Sequence, residues 1–138
     1  MEVLSGQYEH VIDPKGRLIL PKAFRAYFGT EGVISPDRLG CLSLWTAGEW
    51  SRRVASENDR AEQGTAADRK QLRFVLAYSQ SVSFDDQGRF ALPVKAREFA
   101  GLDGDVLING VLGHLEIWNP TTWRESFAGV EELFREEG

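Results

Sequence analysis

Cysteine is nearly absent from the 138 residues. Cys41 stands alone, so the chain can close no disulfide on itself and build no metal site from paired thiolates. Histidine is scarce as well, with only His10 and His114. Neither these nor Cys41 sits in a nucleophile or metal-ligand motif, and no glycine-rich phosphate loop follows a strand. No catalytic residues, no metal, no cofactor and no small-molecule substrate are therefore expected. Long hydrophobic runs are missing too, with nothing near the ~20 apolar residues of a membrane span. The opening MEVLSGQYEH lacks the basic and apolar regions of a targeting signal. The expected setting is a reducing cytoplasm, without a membrane partner.

Positive charge is short overall: the net charge is -5 and the isoelectric point about 5.1, which taken whole disfavours nucleic acid. The average conceals a gradient. Residues 10–28 carry Lys15, Arg17, Lys22 and Arg25 against Asp13 alone, whereas residues 124–138 carry Arg124 and Arg135 against Glu125, Glu131, Glu132, Glu136 and Glu137. One end suits DNA and the other is repelled by it.

What the chain does contain is a tandem repeat. Shifted by 72, residues 11–29 (VIDPKGRLILPKAFRAYFG) match residues 83–101 (SFDDQGRFALPVKAREFAG) at the Asp, Gly, Arg, Leu, Pro, Arg and final Gly positions. Shifted by 73, Leu42, Leu44, Trp45 and Trp50 fall on Leu115, Ile117, Trp118 and Trp123, so one residue is inserted near Asp103. A ~60-residue unit buries only about 60% of its unfolded surface, so the halves are expected to share a core or to associate.

The first copy predicts a β-hairpin from residues 8–12 and 17–20, joined by a turn in which Pro14 presets φ and Gly16 takes a positive φ. Pro21 opens a two-turn helix carrying Phe24, Tyr27 and Phe28 on one face, and Gly29 closes it. Strands follow at residues 32–34 and 41–45, around the turn signal SPDRLG. Thr46 and Glu49 have capping-box spacing for a helix with Trp50 and Val54 inside. Residues 58–65 (NDRAEQGT) lack an apolar period and predict a polar linker, and residues 67–78 an amphipathic helix striped by Leu72, Val75 and Leu76. The second copy predicts a hairpin over 81–92, a helix from Pro93 to Gly101, strands at 105–109 and 114–118, and a helix with Asn119 as N-cap and Pro120 first. Gly129 then breaks the chain before its acidic end. The order β-β-α-β-β-α, twice, implies an α+β fold of pseudo-two-fold symmetry whose hairpins pair or interleave into one small barrel.

The repeated Asp-x-x-Gly-Arg admits two readings. In one, Asp13 and Asp85 accept turn N–H groups and pair with the arginine four residues on, with Gly16 and Gly88 allowing the turn. In the other, the turn presents Lys15 and Arg17 to a nucleic-acid groove. Trp45, Trp50, Trp118 and Trp123, at strand ends and helix starts, fit packing better than a ligand cage. Arg69, Lys70 and Arg73 fit a solvated face.

DPKGRLILP before a short helix, GCLSLW leading into EW, RKQLRF…AYS, DDQGRFALP and LEIW together strongly resemble the MraZ family of the SpoVT-AbrB superfamily, over residues 4–124. That resemblance implies a SpoVT-AbrB-like double repeat: a small swapped-hairpin β-barrel with flanking helices. Repeat one would span 7–50 and repeat two 79–123, with a helical linker at 51–78 and an acidic helical tail at 124–138. It implies a DNA-binding transcriptional regulator of repeated boxes upstream of the division and cell-wall gene cluster, assembled as a ring-shaped homo-oligomer and associated with the nucleoid. The family's functional residues fall on Lys15, Gly16 and Arg17; Lys22 and Arg25 join them on charge grounds. In the second copy Gln87 replaces the usual lysine, Asp86 adds negative charge, and Arg89 remains. The first copy would grip DNA, with the second completing the barrel and the ring interface. An antitoxin-like or protein-interaction module on the same fold is the alternative.

Overall fold

The computed structural model describes residues 3–137. Among the described residues, eight strands and six helices follow one another twice in nearly the same order: β1 (Gln7–Val11), β2 (Arg17–Ile19), a 3₁₀ turn (Lys22–Phe24) continuing into α1 (Arg25–Phe28), β3 (Glu31–Pro36), β4 (Leu42–Trp45) and α2 (Ala47–Gln63); then α3 (Ala66–Tyr78); then β5 (Gln80–Ser83), β6 (Arg89–Ala91), α4 (Val94–Ala100), β7 (Asp105–Val111), β8 (His114–Trp118), α5 (Pro120–Ser126) and α6 (Val130–Glu137). The class is α+β, with antiparallel sheets.

Strand pairing departs from the sequence reading. Neither predicted hairpin forms as a pair of its own arms. β1 pairs with β7 of the other half, β5 with β3 of the other half, and β2 with β6. The result is a six-stranded sheet in the order β1-β7-β8-β4-β3-β5, beside a two-stranded ribbon of β2 and β6. The turns at residues 13–17 and 85–89 join the two edges of that sheet to the ribbon. Beyond the ribbon, Leu20 N–H donates to Gly88 O at 2.8 Å and Leu92 N–H to Gly16 O at 3.0 Å, so each half's second strand ends on the other half's turn. The cause is burial. Leu18 and Phe90 of the ribbon, with Leu20 and Leu92 just after it, close over Ile34, Leu42, Leu44, Ile108, Leu115 and Ile117 in one core that neither half could fill alone.

A second correction concerns residues 58–65. α2 continues through them to Gln63, with Gly64 at its end. Arg60 and Arg53 both pair with Glu57 along the helix, at 3.3 and 3.4 Å, Ala61 is buried, and Ala, Arg, Glu and Gln are all strong helix formers. Thr46 caps α2 by accepting from Glu49 N–H, and Thr65 with Asp68 forms a reciprocal capping box on α3. Pro21 and Pro93 sit one residue before their helices, as caps; Asn119 and Pro120 start α5 as expected.

The outer face of the sheet is covered twice. α5 lays Trp123 and Phe127 on Trp118, Cys41 and Leu107, and the α2–α3 pair lies over β3 and β4.

Candidate nucleic-acid interface

Both turns are built by one carboxylate. Asp13 Oδ1 accepts the N–H groups of Lys15 and Arg17, each at 2.9 Å, while Oδ2 accepts Arg17 Nε at 2.8 Å. Asp85 does the same for Gln87, Arg89 and Arg89 Nε, at 2.9, 2.9 and 2.8 Å. Gly16 and Gly88 take φ of 79° and 80° and donate back to the carbonyls of Asp13 and Asp85 at 2.9 Å. Backbone donation from Arg17 holds the Asp13 carboxyl below its ordinary range; burial opposes it, and the Arg17 side chain and Lys15 N–H add to the lowering, as Arg89 and Gln87 do for Asp85. Each arginine meets its carboxylate through Nε, which fixes the guanidinium beside the turn while it stays partly exposed.

Lys15 is exposed at the first tip, where the second tip has exposed Asp86 and Gln87. Lys22 is exposed in the 3₁₀ turn. Arg25, grouped with Lys15 on sequence grounds, belongs elsewhere: a Cβ on Gly88 would lie 2.6 Å from Arg25 Nε, so this guanidinium covers the second turn. By symmetry, Arg97 covers the first, 3.0 Å from where a Cβ on Gly16 would stand. Arg25 Nε donates to Leu20 O at 3.1 Å and Arg97 Nε to Leu92 O at 3.2 Å, which fixes both across the junction between halves. Glycine is thus required at 16 and 88 twice over, for the positive φ and for the guanidinium stacked on it.

Arg97 is the cation that reasoning from sequence missed. Its signal was present, because it is the repeat partner of Arg25; only the exchange of strands shows that each serves the opposite turn. The first tip therefore holds Lys15, Arg17 and Arg97 against Asp13, and the second Arg25 and Arg89 against Asp85 and Asp86. Arg25 also lies close enough to His10 to add, after partial burial, to the lowering of that imidazole's pKa.

Of the residues considered for catalysis, His114 and Cys41 both lie near Glu116. His114 stacks on Trp45 at 4.1 Å and its Nε2 lies 3.6 Å from Glu116 Oε2. Cys41 is fully buried, and burial, followed by the charges of Glu116 and Asp37, pushes its thiol pKa far up, which keeps it a thiol and a poor nucleophile. Asp37, Cys41 and Glu116 bring one ligand atom each within 4.8 Å of one another. Their oxygens are already engaged: Asp37 accepts from Leu39 N–H and Ser43 Oγ, and Glu116 Oε1 from Trp118 Nε1 at 2.9 Å. Burial raises the Glu116 pKa, but the nearby His114 and the hydrogen bond from Trp118 outweigh it and leave it below the ordinary value. This is a satisfied polar network beneath the helices. Among the described residues, no helix is long and apolar enough to cross a membrane.

A family model described as "MraZ protein, putative antitoxin-like" matches the chain twice, over residues 3–74 and 75–137. The chain is 34% identical over 126 residues to a protein of Deinococcus radiodurans, covering 91% of this chain and 88% of that one. It is 37% identical over 132 residues to one of Acetivibrio thermocellus (95% and 90% covered), and 35% identical over 132 residues to one of Lachnoclostridium phytofermentans (95% and 92%). All three carry the name "Transcriptional regulator MraZ".

Proposed function

The chain belongs to the MraZ family, and from that premise we propose that it is a sequence-specific DNA-binding transcriptional regulator that reads repeated boxes upstream of the division and cell-wall gene cluster. It acts on the bacterial nucleoid, as a ring-shaped homo-oligomer whose turns face the duplex. Each protomer is a swapped-hairpin barrel of two repeats, 7–50 and 79–123, joined by the helical segment 51–78 and followed by the acidic tail 124–138.

The observation that carries this reading is the cationic first tip, where the turn fixes Arg17 beside exposed Lys15 and Arg97 from the other half lies over Gly16. Arg17 and Gly16 approach base edges, Lys15 and Lys22 meet phosphate, and Arg97 joins them. At the second tip Arg25, Arg89 and Gln87 give weaker contacts, because Asp85 and Asp86 match the two cations there. A protomer of net charge -5 binds one box poorly. Several tips on repeated boxes gain ~10² to 10⁴ in avidity when geometry allows. Gel shifts at fixed salt test this: a duplex with several boxes should bind far more tightly than one box, and equal affinity would contradict it. A genomic pull-down should return boxes ahead of the protein's own gene.

The antitoxin-like wording of the family description supports a second reading, a protein-interaction module. Recovery of a toxin-like partner, with no affinity for repeated boxes, would favour it.

A further inference from the structure

The ribbon of β2 and β6 has two faces, and only one of them belongs to the core. Leu18 and Phe90, opposite each other in the ladder, are 0% and 2% exposed and lie in the core. Because side chains alternate along a strand, Arg17, Ile19, Arg89 and Ala91 share the other face. Ile19 is 40% exposed, Ala91 is exposed, and the two arginines stay partly so while Asp13 and Asp85 hold them. The register mixes the two kinds of side chain: Arg17 stands opposite Ala91, and Ile19 opposite Arg89. The first turn leads into the ribbon at Arg17 and the second at Arg89, so the turns flank it from opposite ends. Each end therefore presents a guanidinium beside an aliphatic side chain, with a turn just beyond.

Shape, charge and chemistry suit this face to a duplex. Two strands about 4.8 Å apart make a ribbon that enters the major groove, which is about 12 Å wide. In a chain of net charge -5, Lys15, Arg17 and Arg97 at one end and Arg25 and Arg89 at the other outnumber Asp13, Asp85 and Asp86. Ile19 and Ala91 are the uncharged members of the face. The core takes nothing from them, and neither can bind a phosphate. Among the base edges in the major groove, the apolar feature is the 5-methyl group of thymine.

We infer that the β2–β6 ribbon lies in the major groove and that Ile19 and Ala91 determine sequence by packing on thymine methyl groups, beside the bases that Arg89 and Arg17 reach. The inference rests on the DNA reading above and adds to it the residues that distinguish thymine. It also gives the second end a part that charge does not measure, since Ile19 of the first repeat reads there next to Arg89.

The test uses the full chain and the repeated-box duplex recovered by the pull-down, with deoxyuridine replacing thymine at one position of every box at a time. Uracil pairs as thymine does and lacks only the methyl. In gel shifts at fixed salt, the wild-type protein should lose affinity about fourfold or more at two positions, the weight of a buried methyl-sized group. Ile19→Ala should bind the thymine duplex more weakly by a similar factor and no longer respond to uracil at one of these positions; Ala91→Gly should behave so at the other. Ile19→Val should keep the response. The slope of affinity against salt should be the same for all these proteins, because no phosphate contact is removed. Should Ile19→Ala or Ala91→Gly fail to fold by circular dichroism, Ile19→Thr and Ala91→Ser, which keep side chains of similar size and make them polar, take their places. Wild-type protein that binds the boxes yet ignores uracil at every position would overturn the inference and leave the DNA reading standing. So would variants that keep the wild-type response to uracil, a changed salt slope, or an Ile19→Ala chain of altered assembled mass, which would make this face a contact between copies. Failure of the wild-type protein to bind any box would overturn both.

Discussion

At the first turn Asp13 accepts from two backbone N–H groups and from Arg17 Nε; at the second Asp85 accepts from the equivalent three, at the same distances. Each glycine sits at positive φ beneath an arginine lent by the other half. What separates the turns is the pair of residues at the tip. Pro14 and Lys15 become Asp86 and Gln87, which removes one cation and adds one carboxylate without disturbing a hydrogen bond of the turn. Architecture and charge have therefore come apart: the fold needs both turns, and the proposed DNA contact leans on one.

The largest effect should come from stripping the first tip. Lys15→Ala/Arg17→Ala removes a phosphate and a base contact, each worth about 1–3 kcal/mol, so affinity for a multi-box duplex should fall by roughly 100-fold or more. The matching Gln87→Ala/Arg89→Ala protein should lose far less in the same gel shift. Next in size is stability, where the ranking should reverse. Gly88→Ala and Gly16→Ala each force a side chain into a positive φ, a strain of about 1–3 kcal/mol. The nearer obstacle is at Gly88, 2.6 Å against 3.0 Å, so urea melts should show the larger loss there. A smaller effect is a gain: Gln87→Lys restores a cation to the second tip and should tighten binding and steepen its salt dependence by about one released counterion per engaged tip. An unchanged slope would place the second tip away from the duplex.

In acid the two turns should behave alike. Both carboxyls titrate below their ordinary value of 3.8 in the folded chain, because Arg17 and Arg89 donate to the ionised forms. Folding therefore disfavours their protonation. Their contribution to stability is complete above that value and is lost as the pH falls below it. Asp13→Asn and Asp85→Asn should each flatten that part of the stability profile by a similar, small amount, measured by thermal melts between pH 5 and 2.

The positions of strands, turns and most caps were legible because they rest on local chemistry: Pro21, Pro93 and Asn119 at helix starts, Gly16 and Gly88 in turns, and a repeat that states each feature twice. That the two hairpins would pair or interleave was legible; which strand takes which partner was not. The alternation in residues 8–12 marks a strand but carries no address for its partner, and β1 finds β7 because the shared core, formed only by both halves, is what the apolar faces seek. The same gap hid the exchange of Arg25 and Arg97, whose roles depend on which turn lies across the junction. Residues 58–65 misled for another reason. Their helix is held by ion pairs to Glu57 and by the single buried Ala61, which leave no apolar period to see.

The equality of the turns offers its own control. Arg17→Ala and Arg89→Ala delete the same Nε–carboxylate bond at 2.8 Å, so their structural damage should match and any difference in DNA affinity belongs to the contact itself. Measured side by side on a multi-box duplex at one salt concentration, Arg17→Ala should weaken binding at least tenfold more than Arg89→Ala, a difference of about 1.4 kcal/mol. Equal losses would contradict the division of labour between the two tips.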